Sequence, residues 1–149
     1  MEKLNLVSFL TFVVLISACD VFNSSDQGQS FEYKFETNKS TYSSQETVNG
    51  SFINKSNKTL LLTYQICTIT EMQKHENKKW KSIPIPVFCT AEVKSPVKVA
   101  PSEKLEIGVN LEVFNNKLAS GTYRLDVKAS YKEKNRQKEL VSNNFEIIN

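Results

Sequence analysis

The chain has 149 residues, 40% of them hydrophobic and 23% charged, with four glycines and four prolines. That composition fits one globular domain and excludes collagen-like, low-complexity and polytopic membrane chains. Nineteen Lys plus Arg against sixteen Asp plus Glu leave a formal charge of +3, too small to predict a nucleic-acid partner without a clustered patch, so none is expected.

Residues 1–18 place a charged start before an apolar run, 6–16, and close on the small residues Ser17 and Ala18. This is the pattern of a secretory signal peptide, too short to span a bilayer. The next residue is Cys19, and Ile16-Ser17-Ala18-Cys19 resembles the lipobox of bacterial lipoproteins. The resemblance implies that Cys19 becomes the mature N-terminus and is diacylated on sulfur. Each buried methylene contributes about 0.8 kcal/mol, so several acyl chains hold a protein stably at a membrane without a transmembrane helix. The implied location is the bacterial cell envelope, with the domain outside the cytoplasm and the choice of inner or outer membrane open. An ordinary signal peptide with an accidental Cys19, or an uncleaved apolar anchor, is the alternative.

Residues 19–30 turn to Asn, Ser, Asp, Gln and Gly, which cannot bury enough apolar surface to order a chain; they read as a lipid-anchored flexible tether. From residue 31 to 149, alternating or β-branched and aromatic runs are separated by turn clusters. The expected strands are 31–37, 47–54 and 59–67, then 69–74 and 79–83 flanking the hairpin residues His75-Glu76-Asn77-Lys78. Asn49-Gly50 reads as a glycine inside a strand in preference to a hairpin tip. In 105–111, Leu105, Ile107, Val109 and Leu111 share the core face and Glu106, Gly108 and Asn110 the solvent face. Tyr123, Leu125, Val127 and Ala129 repeat the pattern opposite Arg124, Asp126 and Lys128, and Val141, Phe145 and Ile147 mark a last strand beyond the polar tip 132–136. These patterns predict an all-β domain, an antiparallel two-sheet sandwich of about seven to nine strands.

Three cysteines are an odd count for an exported protein. Assigning Cys19 to lipid leaves Cys67 and Cys89, whose bridge would close a loop of 23 residues, worth about 3 kcal/mol in the chain-entropy model. Two free thiols in a reducing setting are the alternative. Gly121-Thr122-Tyr123, a tyrosine two residues after a turn glycine, is similar to the tyrosine corner of Greek-key sandwiches, which implies a buried Tyr123.

Tyr42-Ser43-Ser44-Gln45-Glu46-Thr47-Val48, Asn54-Lys55-Ser56, Lys79-Trp80, Pro101 and Gly121-Thr122-Tyr123-Arg124 together resemble the bacterial Ig-like domains of small envelope lipoproteins. Gln45 departs from that pattern, standing where the turn before the Glu usually carries Gly. The resemblance implies an Ig-like fold, and its motifs mark fold rather than catalysis.

Catalytic patterns do not assemble. His75 is the single histidine and sits in a polar hairpin without spaced ligands or a nucleophile, so it reads as an exposed turn residue. The aspartates are Asp20, Asp26 and Asp126, giving neither a calcium loop nor a carboxylate pair. The glycines form no phosphate-binding loop. No enzyme activity, metal or cofactor is expected. Lys128, Tyr131, Lys132, Lys134, Arg136 and Lys138 read as a solvated hairpin half neutralised by Glu133 and Glu139, with a patch for anionic polymer as the alternative. Asn38-Lys39-Ser40 and Asn57-Lys58-Thr59 match glycosylation sequons, which a bacterial lipoprotein would not use.

Ile83-Pro84-Ile85-Pro86-Val87-Phe88 is a stiff extended segment. It reads as a proline-protected edge, or as a preorganised binding loop. Trp80 reads as a core plug under a hairpin; exposed, it would be a ligand platform. The expected function is a non-catalytic, membrane-anchored module that engages an envelope protein or polymer. The alternative is a protease inhibitor presenting the 83–88 loop.

Overall fold

A period of two in burial runs without a break from Thr47 to Asn54, because every second residue there is apolar, glycine or a saturated amide. The computed structural model describes residues 32–65, 67–87, 95–115, 117–131 and 137–149. Its strands are β1 (Tyr33–Thr37), β2 (Thr41–Ser43), β3 (Thr47–Asn54), β4 (Leu60–Thr63), β5 (Thr70–Glu76), β6 (Lys79–Ile83), β7 (Val97–Val99), β8 (Lys104–Asn110), β9 (Gly121–Tyr131), β10 (Lys138–Val141) and β11 (Phe145–Ile148). A 3₁₀ turn, Leu111–Phe114, follows β8.

Two sheets form. The smaller has the order β1-β3-β8, antiparallel throughout. The larger is organised on β9, whose two edges are each served by a strand in two pieces. On one edge β5 pairs with residues 123–127 and β4 continues with 128–131. On the other, β11 pairs with 121–123 and β10 with 126–129. β6 and β7 extend the sheet beyond β5 and β4, and β2 pairs in parallel with β11.

The breaks have identifiable causes. Between β10 and β11 the chain bulges at Ser142, whose Oγ accepts the Leu125 N–H at 2.9 Å while its own N–H donates to the Leu125 carbonyl at 2.9 Å. The side chain takes the place of a ladder partner, so the expected single last strand is two. Between β4 and β5 the chain leaves the sheet at 64–69, closed by reciprocal backbone bonds between Gln65 and Thr68 of 2.6 and 2.8 Å. β8 ends at Asn110 rather than Leu111, because the Asn110 side chain caps the 3₁₀ turn by accepting the Glu112 N–H at 2.9 Å. The break at Ser142 and the short strands β2 and β7 bring the count among the described residues to eleven, above the seven to nine expected.

Between the sheets lies the core, including Phe35, Phe52, Leu60, Met72, Leu125 and Phe145. Each such side chain contributes roughly 1.5–3 kcal/mol by burial. Tyr42 meets Phe145 edge-on at 5.4 Å, and Phe35 meets Phe52 at 5.8 Å. Gly50 lies inside β3, as expected, and a Cβ there would come within 2.8 Å of the Glu36 carbonyl oxygen. Asn54 is fully buried and saturated: Nδ2 donates to the carbonyls of Lys58 and Val99, and Oδ1 accepts from the N–H and hydroxyl of Ser56. The turn before β3 needs no glycine at Gln45, since Glu46 closes it by accepting the Ser43 N–H at 2.8 Å and Lys39 Nζ at 2.8 Å. That interaction holds the Glu46 carboxyl below its ordinary range.

Candidate functional site

The hairpin β5–β6 decides what the outer face of the larger sheet presents. Its turn is the two residues Asn77 and Lys78, both with positive φ (51° and 63°), the geometry that matches strand twist in a tight hairpin. The resulting register sets His75 opposite Trp80 and Met72 opposite Ile83. Met72 points into the core, so alternation turns Gln73, His75, Trp80 and Ser82 to the other side. Trp80 is therefore half-buried on the outer face and is no core plug. The apolar cue of an indole was weaker than the register imposed by the turn.

On that face a continuous chain of contacts crosses three strands. Gln73 Nε2 donates to Asp126 Oδ2 at 2.7 Å, and Arg124 Nε donates to Gln73 Oε1 at 2.8 Å. The Arg124 guanidinium lies 4.2 Å from the Trp80 ring centre, and the Trp80 ring is 4.9 Å from that of His75. The Gln73 amide has one possible orientation, because an ionised carboxylate only accepts and a guanidinium only donates.

Asp126 departs from expectation. Alternation placed it with Arg124 and Lys128 on the solvent side, yet it is 1% exposed, and its Oδ1 has no hydrogen-bond partner. Gln73 of β5 covers Oδ2, and the charges of Glu71, Glu139, Lys128 and Arg124 act on the group from β5, β10 and β9. Burial pushes its carboxyl up to about 6, Glu139 and Glu71 add to the rise, and Lys128 and Arg124 partly oppose it. Lys128 Nζ lies 3.7 Å from Glu71, which places it in this cluster rather than in a free basic patch. Tyr131 is buried, Lys138 is exposed, and Lys132, Lys134 and Arg136 lie outside the described residues.

Tyr123 is 1% exposed and donates to the Ala119 carbonyl at 2.5 Å, with its ring stacked on Phe145 at 6.3 Å. Burial pushes its hydroxyl pKa up, against the pull of the nearby Lys74 ammonium. Gly121 at the start of β9 has φ 151°, a conformation that L side chains rarely adopt.

In the proline segment, Ile83 and Ile85 pack against the core, while Pro84, Pro86 and Val87 are exposed. A cavity of about 100 Å³ lies between this segment and the 64–69 excursion, lined by Gln65, Thr68, Glu71, Ser82 and residues 83–85. Cys67 occupies the excursion's tip with φ 68°. Cys19, Phe88 and Cys89 lie outside the described residues, as do the signal peptide and tether. Among the described residues, no three His, Cys, Asp or Glu side chains converge as a metal site. Sequence reasoning missed Gln73 and the burial of Asp126; the one available signal was an acidic residue in the middle of the longest alternating strand.

A family model described as bacterial Ig-like domain matches residues 29–145, and the chain belongs to that family. Comparison with curated proteins returns no match. Among solved structures, the YadV chaperone aligns with 78% of this chain and 50% of its own at 12% identity, TM-score 0.47. The β-glucosidase EmGH1 from Erythrobacter marinus aligns with 80% of this chain and 15% of its own at 13% identity, TM-score 0.36. A β-glucosidase from Listeria innocua aligns with 78% and 16% at 12% identity, TM-score 0.34. This chain thus spans half or less of each of these solved chains.

Proposed function

We propose that this protein is a non-catalytic envelope lipoprotein, anchored to a membrane through Cys19, whose single Ig-like domain is an interaction module. The observation that carries the reading is the bacterial Ig-like domain at 29–145, separated by the polar segment 20–28 from the lipobox-like Ile16-Ser17-Ala18-Cys19. Sandwiches host unrelated functions, so the role rests on the exposed side chains. On the outer face these form a fixed polar and aromatic array of the kind that binds rather than reacts.

A bridge between Cys67 and Cys89 belongs to the same reading, because an exported domain meets an oxidising compartment. The position of Cys67 at the tip of the 64–69 excursion, beside the proline segment that leads to Cys89, supports it. The bridge would fasten the end of the proline segment to the 64–69 excursion.

Intact mass of the protein extracted from its native membrane, with thiols alkylated before and after reduction, tests anchor and bridge together. A mass beginning at Cys19 with added acyl chains, and two thiols appearing only on reduction, is expected. An unlipidated or uncleaved mass contradicts the anchor, and thiols free from the start contradict the bridge. Cross-linking in native envelopes tests the interaction module, which fails if no protein or polymer is captured above background.

The exposed Pro84, Pro86 and Val87 favour a second reading, a protease inhibitor acting through the 83–88 segment. Absence of inhibition of serine proteases at micromolar protein removes it.

A further inference from the structure

We propose that the outer face of the larger sheet, centred on Arg124 and Trp80, binds the carboxylate or phosphate groups of a linear anionic polysaccharide. This rests on the reading of the domain as an interaction module and names its face and partner. Arg124 uses Nε to hold Gln73 and places its guanidinium over the Trp80 ring. Its terminal nitrogens meet no acceptor among the described residues. A guanidinium so oriented offers a fork of N–H donors matched to two oxygens of a carboxylate or phosphate.

The residues behind Arg124 make sense on this account. Gln73 is 7% exposed and Asp126 1% exposed, although both belong to the face turned away from the core. Burying a carboxylate with one oxygen unpartnered costs stability. In exchange, Asp126 fixes the Gln73 amide and the amide fixes the guanidinium. A donor held in place before the ligand arrives loses less entropy on binding.

At the hairpin end the Glu76 carboxylate is engaged by Lys74 at 3.1 Å and Lys81 at 2.9 Å on the inward side of the hairpin, so it does not face a partner on Arg124. Lys78, in the turn, is exposed, with no carboxylate in ion-pair reach among the described residues. A polysaccharide fits better than a protein, because protein interfaces need a desolvated apolar centre. The exposed large hydrophobic residues among those described are Val87 and Ile148, and the groups in contact with Arg124 are one indole and one amide.

Trp80 is the single tryptophan of the chain, so its emission reports the site. The full-length protein in detergent is titrated with alginate, dextran phosphate, neutral dextran and poly-L-glutamate. A saturable emission change with alginate or dextran phosphate and none with dextran is expected, and the two polyanions distinguish carboxylate from phosphate. Arg124→Gln weakens that binding at least tenfold. Arg124→Lys weakens it too, since an ammonium cannot fork, and it carries the test if circular dichroism shows Arg124→Gln unfolded. Lys104→Gln, on the other sheet, leaves it unchanged. No saturable change with either sugar polyanion, or wild-type binding by the Arg124 variants, overturns the proposal. Equal binding of poly-L-glutamate overturns the choice of polysaccharide. Lost polymer binding with envelope cross-linking intact would sink this surface and leave the interaction module standing.

Discussion

The guanidinium of Arg124 lies over the ring of Trp80, 4.2 Å from its centre. A cation on an indole face is worth about 0.5–2 kcal/mol, depending on how far it is shielded from water. Arg124→Ala uncovers that face. Its expected effects are a red shift of Trp80 emission, about a twofold rise in acrylamide quenching, and a stability loss of about 1 kcal/mol. Quenching and a denaturant midpoint on the same sample check them.

Asp126 gives the domain a pH dependence of unusual sign for a carboxylate. Its folded pKa is raised from 3.8 to about 6, so between those values the native state binds more protons than the unfolded chain. Stability from this group therefore falls as pH rises through that window, and the full penalty is present above about 6. The groups facing it are Glu71 from β5, Glu139 from β10, and Lys128 and Arg124 from its own strand. Glu46 and Glu76, held below their ordinary 4.5 by lysines, act in the opposite sense and only in more acid solution. Asp126→Asn is expected to raise stability at pH 7.5 by about 1–3 kcal/mol and to flatten the slope between pH 4.5 and 6. Urea midpoints across that range check it, and an unchanged slope contradicts it.

Tyr123→Phe removes one hydrogen bond and leaves the Ala119 carbonyl short of a partner. The expected loss is about 1–2 kcal/mol with the fold retained, read as a lower denaturant midpoint at unchanged m-value.

Gly50→Ala tests how closely β1 and β3 approach. The new Cβ would meet the Glu36 carbonyl at 2.8 Å, and backbone on both sides cannot give without opening the pair. A cost of about 1–3 kcal/mol is expected, with hydrogen exchange accelerated in β1 first.

The bounds of β3 and β6 were legible in the sequence because alternation and turn residues agree there: Thr47–Asn54 and Lys79–Ile83 are where the pattern puts them. β2 and β7 have three residues each, too few for a period of two to show. Their existence depends on partners distant in sequence, β11 for one and β4 for the other. The break at Ser142 was hidden because a serine side chain stands in for a backbone partner. The site was half legible. Trp80 was singled out but read as a core plug, Arg124 was read only as a solvent-facing residue, and Asp126 sits where alternation says water. Its partner Gln73 belongs to another strand, β5, which no pattern within its own strand records.

Site-specific photo-cross-linking in the native envelope tests most directly that this domain is an interaction module working through its larger sheet. A cross-linker replaces Ser82, on the Trp80 face, or Glu106, exposed on β8 of the smaller sheet. High-mass adducts from position 82 and background from position 106 are expected. Adducts from 106 alone, or none from either, would contradict the account.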